Sequence, residues 1–250
     1  TLAGFIVGLL GLAAFILWEQ RTEHPMLPIR FFGDRRFSVG AGVIFLVFMA
    51  MFGLFFISTQ YLQFVKAYSP LEAGLAILPS ALTMVIVAPR SDNLVQRFGV
   101  RATIASGLTL VAIGLASISL LTPESAYVQY AISLVIMSMG MATTMAPATA
   151  SVMSSLPLDK AGVGSAVNDT TREVGGALGI AILGSVLNVA YRNNVTDTIE
   201  AAGAIPNEAA DAARESVGAA LQIASDIGGT AGDALRDGAS HAFTDAMSVA

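Results

Sequence analysis

The sequence predicts an all-α integral membrane protein, built as a bundle of spanning helices. Only 12% of its 250 residues are charged and 54% are hydrophobic, whereas about 25% of the residues of a typical soluble domain are charged. The mean hydropathy is +0.69, and charged residues are absent from six long runs of the chain. Because so little polar surface is available to cover a soluble core, the composition excludes an ordinary soluble enzyme.

Each of the six runs is long enough to cross a membrane once, which takes about 17–25 apolar residues. None shows the alternation of a barrel strand, and helices satisfy their own backbone hydrogen bonds in lipid. Small residues recur at fourfold spacing, as at Gly175 and Gly179, which lets helix backbones approach closely and indicates a packed bundle. The predicted spans are 1–18, 39–64, 72–89, 102–121, 128–150 and 164–190.

Lysine and arginine residues predict the orientation of these spans. The loops 19–37, 90–101 and 151–163 carry eight of them, whereas the loops of the opposite side carry four. Because cytoplasmic loops are enriched in Lys and Arg, the first three loops are predicted to be cytoplasmic.

The segment 191–240 differs from the rest of the chain. It contains eight acidic residues and three Arg, a net charge of −5 that equals the charge of the whole chain. A helix-like stretch is predicted from Pro206 to about Ile227, where Gly228 and its neighbouring Gly end it. We expect this segment to be external, either as a solvated loop or as a docking surface for a partner.

Several kinds of chemistry have no support in the sequence. The chain has no Cys, which excludes disulfides and thiolate metal sites, and it has only two His. The excess of acidic over basic residues argues against nucleic acid as a partner. No phosphate-binding Gly-Lys loop and no Gly-x-Ser-x-Gly nucleophile motif is present. We therefore expect no metal, nucleotide or organic cofactor and no enzymatic activity.

Polar and methionine side chains mark two of the spans. Gln60 and Gln63 are three residues apart and are predicted to share a helix face beside Tyr61. Met141 and Met145 belong to a segment that holds five of the ten Met residues. Both sets are compatible with interhelical packing or hydrogen bonding. Both are also compatible with a substrate cavity, because intramembrane polar groups mark transport pathways and Met adapts to several ligand shapes.

Charged residues cluster at the start of the last long apolar run. Asp169 lies three residues before Arg172 and four before Glu173, so the three share a helix face, and Asn168 adjoins them. If the span begins after Glu173, the two acids favour a helix N-terminus at the interface. If the helix begins near Gly164, Arg172 lies about 12 Å inside and needs a partner or a water-filled cavity.

Three motifs occur in order along the chain, and the resemblance that they carry together covers essentially all 250 residues. They are Glu19…Arg21…Pro25-Met26-Leu27-Pro28…Phe32…Arg36-Phe37, then Tyr61-Leu62-Gln63 with Tyr68-Ser69-Pro70-Leu71-Glu72-Ala73-Gly74-Leu75-Ala76-Ile77-Leu78-Pro79, then Gly164-Ser165-Ala166-Val167-Asn168 with Arg172-Glu173-Val174-Gly175-Gly176-Ala177-Leu178-Gly179-Ile180-Ala181. This set resembles the fourteen-helix drug:proton antiporters of the major facilitator superfamily, the EmrB/QacA type.

The resemblance implies a gating loop of the form Gly-x-x-x-Asp-Arg-x-Gly-x-Arg between the third and fourth spans. Arg97, Gly99 and Arg101 match this pattern, whereas Asp92 stands at the usual Gly and Gln96 at the usual Asp.

The resemblance also implies that the chain is the C-terminal part of such a protein, with the N-terminal half as its missing partner. Residues 1–18 are then a linker helix, 19–37 a cytoplasmic loop and 38–190 five helices of the C-terminal bundle. Residues 191–240 are an acidic extracellular or periplasmic loop, and 241–250 begin a truncated last helix.

The implied function is multidrug efflux by a multi-pass protein of a bacterial cell membrane. Small amphipathic organic compounds leave in exchange for protons by alternating access, so the proton gradient replaces a cofactor. Two alternatives are a dedicated exporter of one natural product and a non-transporting membrane scaffold that docks partners through its acidic segment. The candidate residues of the substrate and proton pathway are Gln60, Tyr61, Gln63, Met141, Met145, Asn168, Asp169, Arg172 and Glu173.

The orientation predicts that Lys66 is external and Lys160 is cytoplasmic. Single Cys residues in a Cys-free full-length protein test this with an impermeant thiol reagent on intact cells. We expect labelling of Lys66→Cys in intact cells, and labelling of Lys160→Cys only after permeabilisation. Labelling of Lys160→Cys in intact cells would reverse the orientation.

Overall fold

The computed structural model describes residues 2–22, 29–157, 160–201 and 206–250, and all of their regular elements are helical. The helices are α1 (Leu2–Arg21), α2 (Arg35–Gln60), α3 (Pro70–Ala76), α4 (Leu78–Val87), α5 (Ser91–Ile118), α6 (Tyr127–Ser154), α7 (Ala161–Ala201), α8 (Asn207–Glu215), α9 (Val217–Ile227) and α10 (Gly229–Val249). Short 3-10 helices cover Ile29–Gly33 and Ala88–Arg90, and a π-helix, Tyr61–Val65, follows α2. Positions 25–28 of the first sequence motif lie outside the described residues.

Local polar bonds determine where two of the apolar helices begin. The Asp34 carboxylate accepts hydrogen bonds from the backbone N–H groups of Arg36 and Phe37, at 2.7 and 3.1 Å, and so caps α2. Ser69 and Glu72 form a reciprocal capping box at the start of α3. Such caps satisfy backbone donors that have no partner within the helix.

Glycines make the closest helix contacts of the bundle. A Cβ added to Gly175 of α7 would lie 2.6 Å from the Phe45 carbonyl oxygen of α2, and one at Gly179 would clash with the next turn of α2. Between α5 and α6, a Cβ at Gly140 would lie 2.6 Å from the backbone nitrogen of Val111. Backbones approach this closely only where the side chains are small, so the packed bundle predicted from the spacing is confirmed for the Gly175–Gly179 pair.

Consecutive helices from α4 to α6 alternate in direction, whereas some helices that pack together are parallel. Later residues of α2 meet later residues of α7, so these two helices are parallel, whereas α5 and α6 are antiparallel because Gly107 lies at Gly140 and Gly114 at Met137. The Tyr127 hydroxyl, at the start of α6, donates to the Ala76 carbonyl before α4 at 3.2 Å. The other ends of α4 and α6 line one cavity, so these helices are parallel, and the chain reverses between α4 and α5.

Four stretches of the described chain are long and apolar enough to cross a membrane. One of them, Pro70–Ile118, holds two of the predicted spans on either side of the chain reversal. A shorter apolar helix, Ile6–Glu19, lies in the region of the first predicted span. The four stretches are Arg35–Val65, Pro70–Ile118, Tyr127–Ser154 and Ala161–Glu200.

Two of the predicted loops contain more helix than expected. The helix predicted from Pro206 to about Ile227 is confirmed as α8 and α9. The loop expected at 90–101 is the first part of α5, which begins at Ser91 and has one non-helical residue, Gly99. The loop expected at 191–240 holds the end of α7, all of α8 and α9, and the start of α10. The last helix begins at Gly229 instead of 241, because Gly228, with φ of 63°, ends α9. The segment is rich in Ala, the strongest helix former.

The acidic segment packs against its own bundle. The Tyr191 hydroxyl of α7 donates to the Ala213 carbonyl of α8 at 3.1 Å, and the Tyr191 ring meets Phe243 of α10 edge to face. The apolar residues of α8 and α9 that face inward, such as Ala213 and Ala220, are fully buried. Helices α8 to α10 therefore form a helical cap over one end of the bundle. Their buried face packs against the bundle, so this face is neither solvated nor free to dock a partner.

A polar contact joins α10 to the turn between α5 and α6. His241 Nε2 lies 3.2 Å from Glu124 Oε1, and Lys66 Nζ donates to the Pro123 carbonyl at 2.7 Å. The pKa of Glu124 is lowered because its carboxylate accepts from its own backbone N–H and from the Thr122 side chain, with a smaller contribution from His241. The cap and the α5–α6 turn are thus held together by polar groups at the end of the bundle where Lys66 lies.

A prediction concerns Ala67, whose φ is 53°. The left-handed conformation costs an L-residue about 1–2 kcal/mol, whereas Gly adopts it readily. We expect Ala67→Gly to raise the free energy of unfolding by about 1 kcal/mol, measured as a higher melting temperature of the purified full-length protein. Ala126→Gly is the control, because Ala126 has φ of −65° and gains nothing from Gly. A melting temperature that falls in Ala67→Gly would contradict the prediction.

Candidate functional site

A cavity of about 480 Å³ lies between α4, α6 and α7. This volume is within the range of about 300–1,000 Å³ that is usual for small-molecule sites. Apart from Thr149 and Arg172, its lining consists of Ala and Met side chains. The lining residues are Met84, Ala88, Ala142, Met145, Ala146, Thr149, Ala150, Met153 and Arg172.

Arg172 is held in place by three neighbours of different chemistry. With its amide oxygen facing the guanidinium, Asn168 accepts from Arg172 Nε at 3.3 Å and from Nη2 at 3.1 Å. On another side, the guanidinium carbon lies 5.3 Å from the centre of the Phe48 ring of α2, a cation–π contact. Asp169 Oδ1 is 4.0 Å from Arg172 Nη1. The charged head is therefore oriented by a neutral amide, an aromatic face and one carboxylate.

The start of α7 bears on the two interpretations of this segment. The helix begins at Ala161, so Asp169 and Glu173 do not lie at a helix N-terminus, and the depth of Arg172 in the membrane stays a prediction. Arg172 lies about 16 Å along α7 from that start at 1.5 Å per residue, and it borders a cavity. Its side chain is 34% exposed. This exposure agrees with the alternative in which the charge lies within the span and needs a partner or an open cavity.

The two acidic residues of the cluster are less enclosed than the arginine. The side chain of Asp169 is 69% exposed, and Glu173 is also exposed. Neither lines the cavity. Asn168, in contrast, is 7% exposed, so the buried partner of the guanidinium is the amide and not an acid.

The structure separates the two candidate methionines. Met145 lines the cavity, whereas Met141 is 3% exposed and belongs to the core. The sequence suggested both packing and cavity lining for this segment, and each interpretation describes one of the two residues.

Gln60 and Gln63 do not share a helix face. The chain leaves α2 at Gln60 and continues as the π-helix Tyr61–Val65, in which each residue turns through a smaller angle than in an α-helix. Gln60 lines a small cavity beside α7 and α8, and Gln63 lines a different one beneath α9 and α10. Tyr61 is buried, and its hydroxyl donates to the Thr122 carbonyl at 3.0 Å. It is therefore a packing residue that links the end of α2 to the turn between α5 and α6.

The predicted gating residues lie on the surface of α5. Asp92, Arg97 and Arg101 are exposed, and in the part of the chain that the structure describes none of them forms an ion pair. The Arg97 guanidinium lies 5.4 Å from the centre of the Phe98 ring. Gly99, at φ 81° and ψ 160°, separates the first two turns of α5 from the rest and sets their direction.

Sequence reasoning missed Phe48 and every residue of the cavity lining except Met145 and Arg172. Phe48 contacts Arg172, and Met84 lines the cavity. Both lie within apolar helices among similar residues, so no local signal distinguishes them. Their roles follow from the packing of α2 and α4 against helices that are far away in sequence.

The sequence matches the model of the Major Facilitator Superfamily over residues 1–180. The chain belongs to the major facilitator superfamily. It is therefore a transporter-family protein and not an enzyme. Its long apolar helices and its bacterial relatives indicate a multi-pass protein of the cell membrane.

Three relatives within the superfamily illustrate the similarity. The chain is 32% identical over 241 residues to the multidrug efflux pump LfrA of Mycolicibacterium smegmatis, which covers 96% of this chain and 47% of the relative. It is 29% identical over 245 residues to the methyl viologen resistance protein SmvA of Salmonella typhimurium, covering 98% and 49%. It is 34% identical over 190 residues to the tetracenomycin C resistance and export protein of Streptomyces glaucescens, covering 75% and 35%. The chain thus spans about half the length of the first two relatives and a smaller part, 35%, of the third.

A prediction concerns the kink at Gly99. Its backbone angles are nearly confined to Gly, and an L-residue held in such a region costs about 1–3 kcal/mol. We expect Gly99→Ala to lower the melting temperature of the full-length protein and to slow transport, because the first turns of α5 must reorient. The control is Gly42→Ala, since a Cβ at Gly42 meets only open space. Equal melting temperatures for the two variants would contradict a structural role for the kink.

Proposed function

We propose that the full-length protein exports small amphipathic organic compounds across the cell membrane in exchange for protons. The observation that carries this proposal is the guanidinium of Arg172 at the edge of a methionine-lined cavity, held by Asn168 and Phe48. Flexible Met side chains accommodate ligands of different shapes. The names of the relatives, which include efflux and resistance proteins, support the same direction of transport.

In this proposal Arg172 positions charge and does not carry the proton. A guanidinium cannot be deprotonated in a protein, but it favours the ionised form of a carboxylate that comes near it. Asp169 is the carboxylate nearest to it in the described chain. Because both residues lie on α7, movement of the helix leaves their spacing unchanged. Rotation of the guanidinium away from Asp169, or its engagement by another group during alternating access, would allow the carboxylate to take up or release a proton.

We also propose that the chain corresponds to the C-terminal part of a fourteen-helix transporter of the EmrB/QacA type. This is supported by the alignment to two relatives, which covers nearly all of this chain and about half of each relative. Helix α1 is then a linker helix, and α2 to α7 form the C-terminal bundle together with the end of α10, whose first part belongs to the cap. An N-terminal half would complete the cavity on the open side of α4, α6 and α7.

A dedicated exporter of one natural product is the second candidate. It is favoured by the 34% identity to the relative of Streptomyces glaucescens, whose name specifies resistance to and export of a single compound. Substrate breadth separates the two candidates. A panel of unrelated amphipathic dyes should be moved by a multidrug exporter, whereas a dedicated exporter should move few or none of them.

Reconstitution of the full-length protein in liposomes tests proton coupling. An imposed pH gradient should drive uptake of amphipathic dyes into vesicles with an acidic interior, and an uncoupler should abolish it. We expect Arg172→Ala to lower this transport at least about tenfold, equivalent to about 1.4 kcal/mol. Glu173→Gln should retain most of it, because Glu173 is exposed and lies outside the cavity lining.

Glu173→Gln is also the matched control, since it changes a charge one residue from Arg172 on the same helix. Variants are compared at equal amounts of reconstituted protein. Gradient-driven transport near the wild-type level in Arg172→Ala would remove Arg172 from the mechanism. If the wild-type protein moved the dyes at the same rate with and without a pH gradient, this result would contradict proton coupling.

A further inference from the structure

The first turns of α5 connect two apolar helices of opposite direction. Helix α4 ends at Val87, and the chain reverses before the apolar part of α5, which runs over 100–118. Gly99, at φ 81° and ψ 160°, separates the turns 91–98 from that apolar part. Both flanking helices belong to the stretch Pro70–Ile118, which is apolar enough to span a membrane. The turns 91–98 therefore lie where the chain leaves and re-enters the membrane, at its surface.

These turns are amphipathic. Ser91, Leu94, Val95 and Phe98 follow the i, i+3, i+4, i+7 spacing of one helix face. Ser91 is buried and the next two are half-buried, so this face is turned towards the bundle. Phe98, at the end of the same face, is nevertheless 59% exposed, and Val100 beside it is 41% exposed. Apolar side chains that remain open on one face of a surface helix are typical of helices that lie in the membrane interface.

Arginines accompany this apolar face. Residues 90–101 contain three Arg and one Asp, a net charge of +2. Arg90, Arg97, Arg101 and Asp92 are all exposed, and in the described part of the chain none of them forms an ion pair. The Arg97 guanidinium lies 5.4 Å from the centre of the Phe98 ring, so a charged head and an apolar side chain are presented side by side.

The rest of this end of the bundle does not cancel that charge. The segments 19–37 and 151–173, which hold the starts of α2 and α7, contain six basic and six acidic residues. The opposite end carries the acidic segment 191–240, with a net charge of −5. The excess of positive charge is therefore confined to the start of α5.

We propose that the start of α5 is a binding surface for anionic phospholipids. Arg97 and Arg101 bind the headgroup phosphate through charge-assisted hydrogen bonds, while the Phe98 ring enters the boundary between headgroups and acyl chains. A soluble acidic partner would also attract the arginines, but it offers no apolar surface to Phe98 at the level of the membrane. The proposal concerns the lipid around the protein and does not depend on the proposed transport.

Lipid binding to the purified full-length protein tests the role of charge. Native mass spectrometry compares the affinities for phosphatidylglycerol and for phosphatidylcholine with the same acyl chains. We expect the wild type to prefer phosphatidylglycerol, and Arg97→Gln to lower this preference about fivefold, equivalent to about 1 kcal/mol for one basic residue at an anionic surface. Arg97→Lys keeps the charge and should retain most of the preference.

The matched control is Arg192→Gln, which removes an exposed arginine from the acidic segment at the other end of the bundle. Its lipid preference should equal that of the wild type. A preference that is unchanged in the double variant Arg97→Gln with Arg101→Gln would overturn the proposal. So would a double variant that melts at a lower temperature by the same amount in both lipids, because the arginines would then pair with protein groups and not with headgroups.

A second measurement tests the position of Phe98 and leaves the arginines intact. A fluorophore is attached to Phe98→Cys in a Cys-free full-length protein, which is reconstituted in vesicles whose lipids carry a quencher near the headgroup. Gln96→Cys is the control, because Gln96 is also exposed but lies about 200° around the helix from Phe98. We expect stronger quenching at position 98 than at position 96. Equal quenching at the two positions would overturn the proposal.

Discussion

The close approach of helix backbones is the constraint on which the rest of this bundle depends. Lipid tails are as apolar as Leu side chains, so helices in a membrane associate through packing and hydrogen bonds instead of hydrophobic burial. Gly175 and Gly179 bring α7 onto α2, and Gly107 and Gly140 bring α5 onto α6. A side chain at any of these positions would meet backbone or side-chain atoms of the partner helix. The α2–α7 contact also brings Phe48 to the guanidinium of Arg172.

The cavity follows from this packing. Helix α6 is held between α5 and α2 and turns its Ala and Met residues towards α4 and α7, where small side chains leave space. Arg172 reaches that space from α7, and its cost in an apolar setting is offset by the Asn168 amide and the Phe48 ring. Neither of these two partners carries a charge, and the Asp169 carboxylate, 4.0 Å from Arg172 Nη1, is the counter-charge.

The two ends of the bundle are built differently. Where α8 to α10 lie, polar contacts such as Glu124–His241 and the buried Tyr191 hydroxyl join the cap to the spanning helices. At the other end, the first turns of α5 carry exposed arginines and change direction at Gly99. The capped end is thus closed by many specific bonds, whereas the opposite end is shaped mainly by one backbone conformation.

The sequence by itself determined the class of protein and most of the spanning helices, and it singled out the segment around Arg172 as a candidate site, because hydropathy and helical spacing are local properties. It predicted the helix from Pro206 to about Ile227 but did not reveal that 90–101 is largely helical or that α7 and α10 extend into 191–240, since charged and Ala-rich helices lack the apolar run by which spans are recognised. Only the tertiary structure separated Gln60 from Gln63 and joined Phe48 and Met84 to the site. Those relations depend on a π-helix and on the register between helices distant in sequence, which no local pattern encodes.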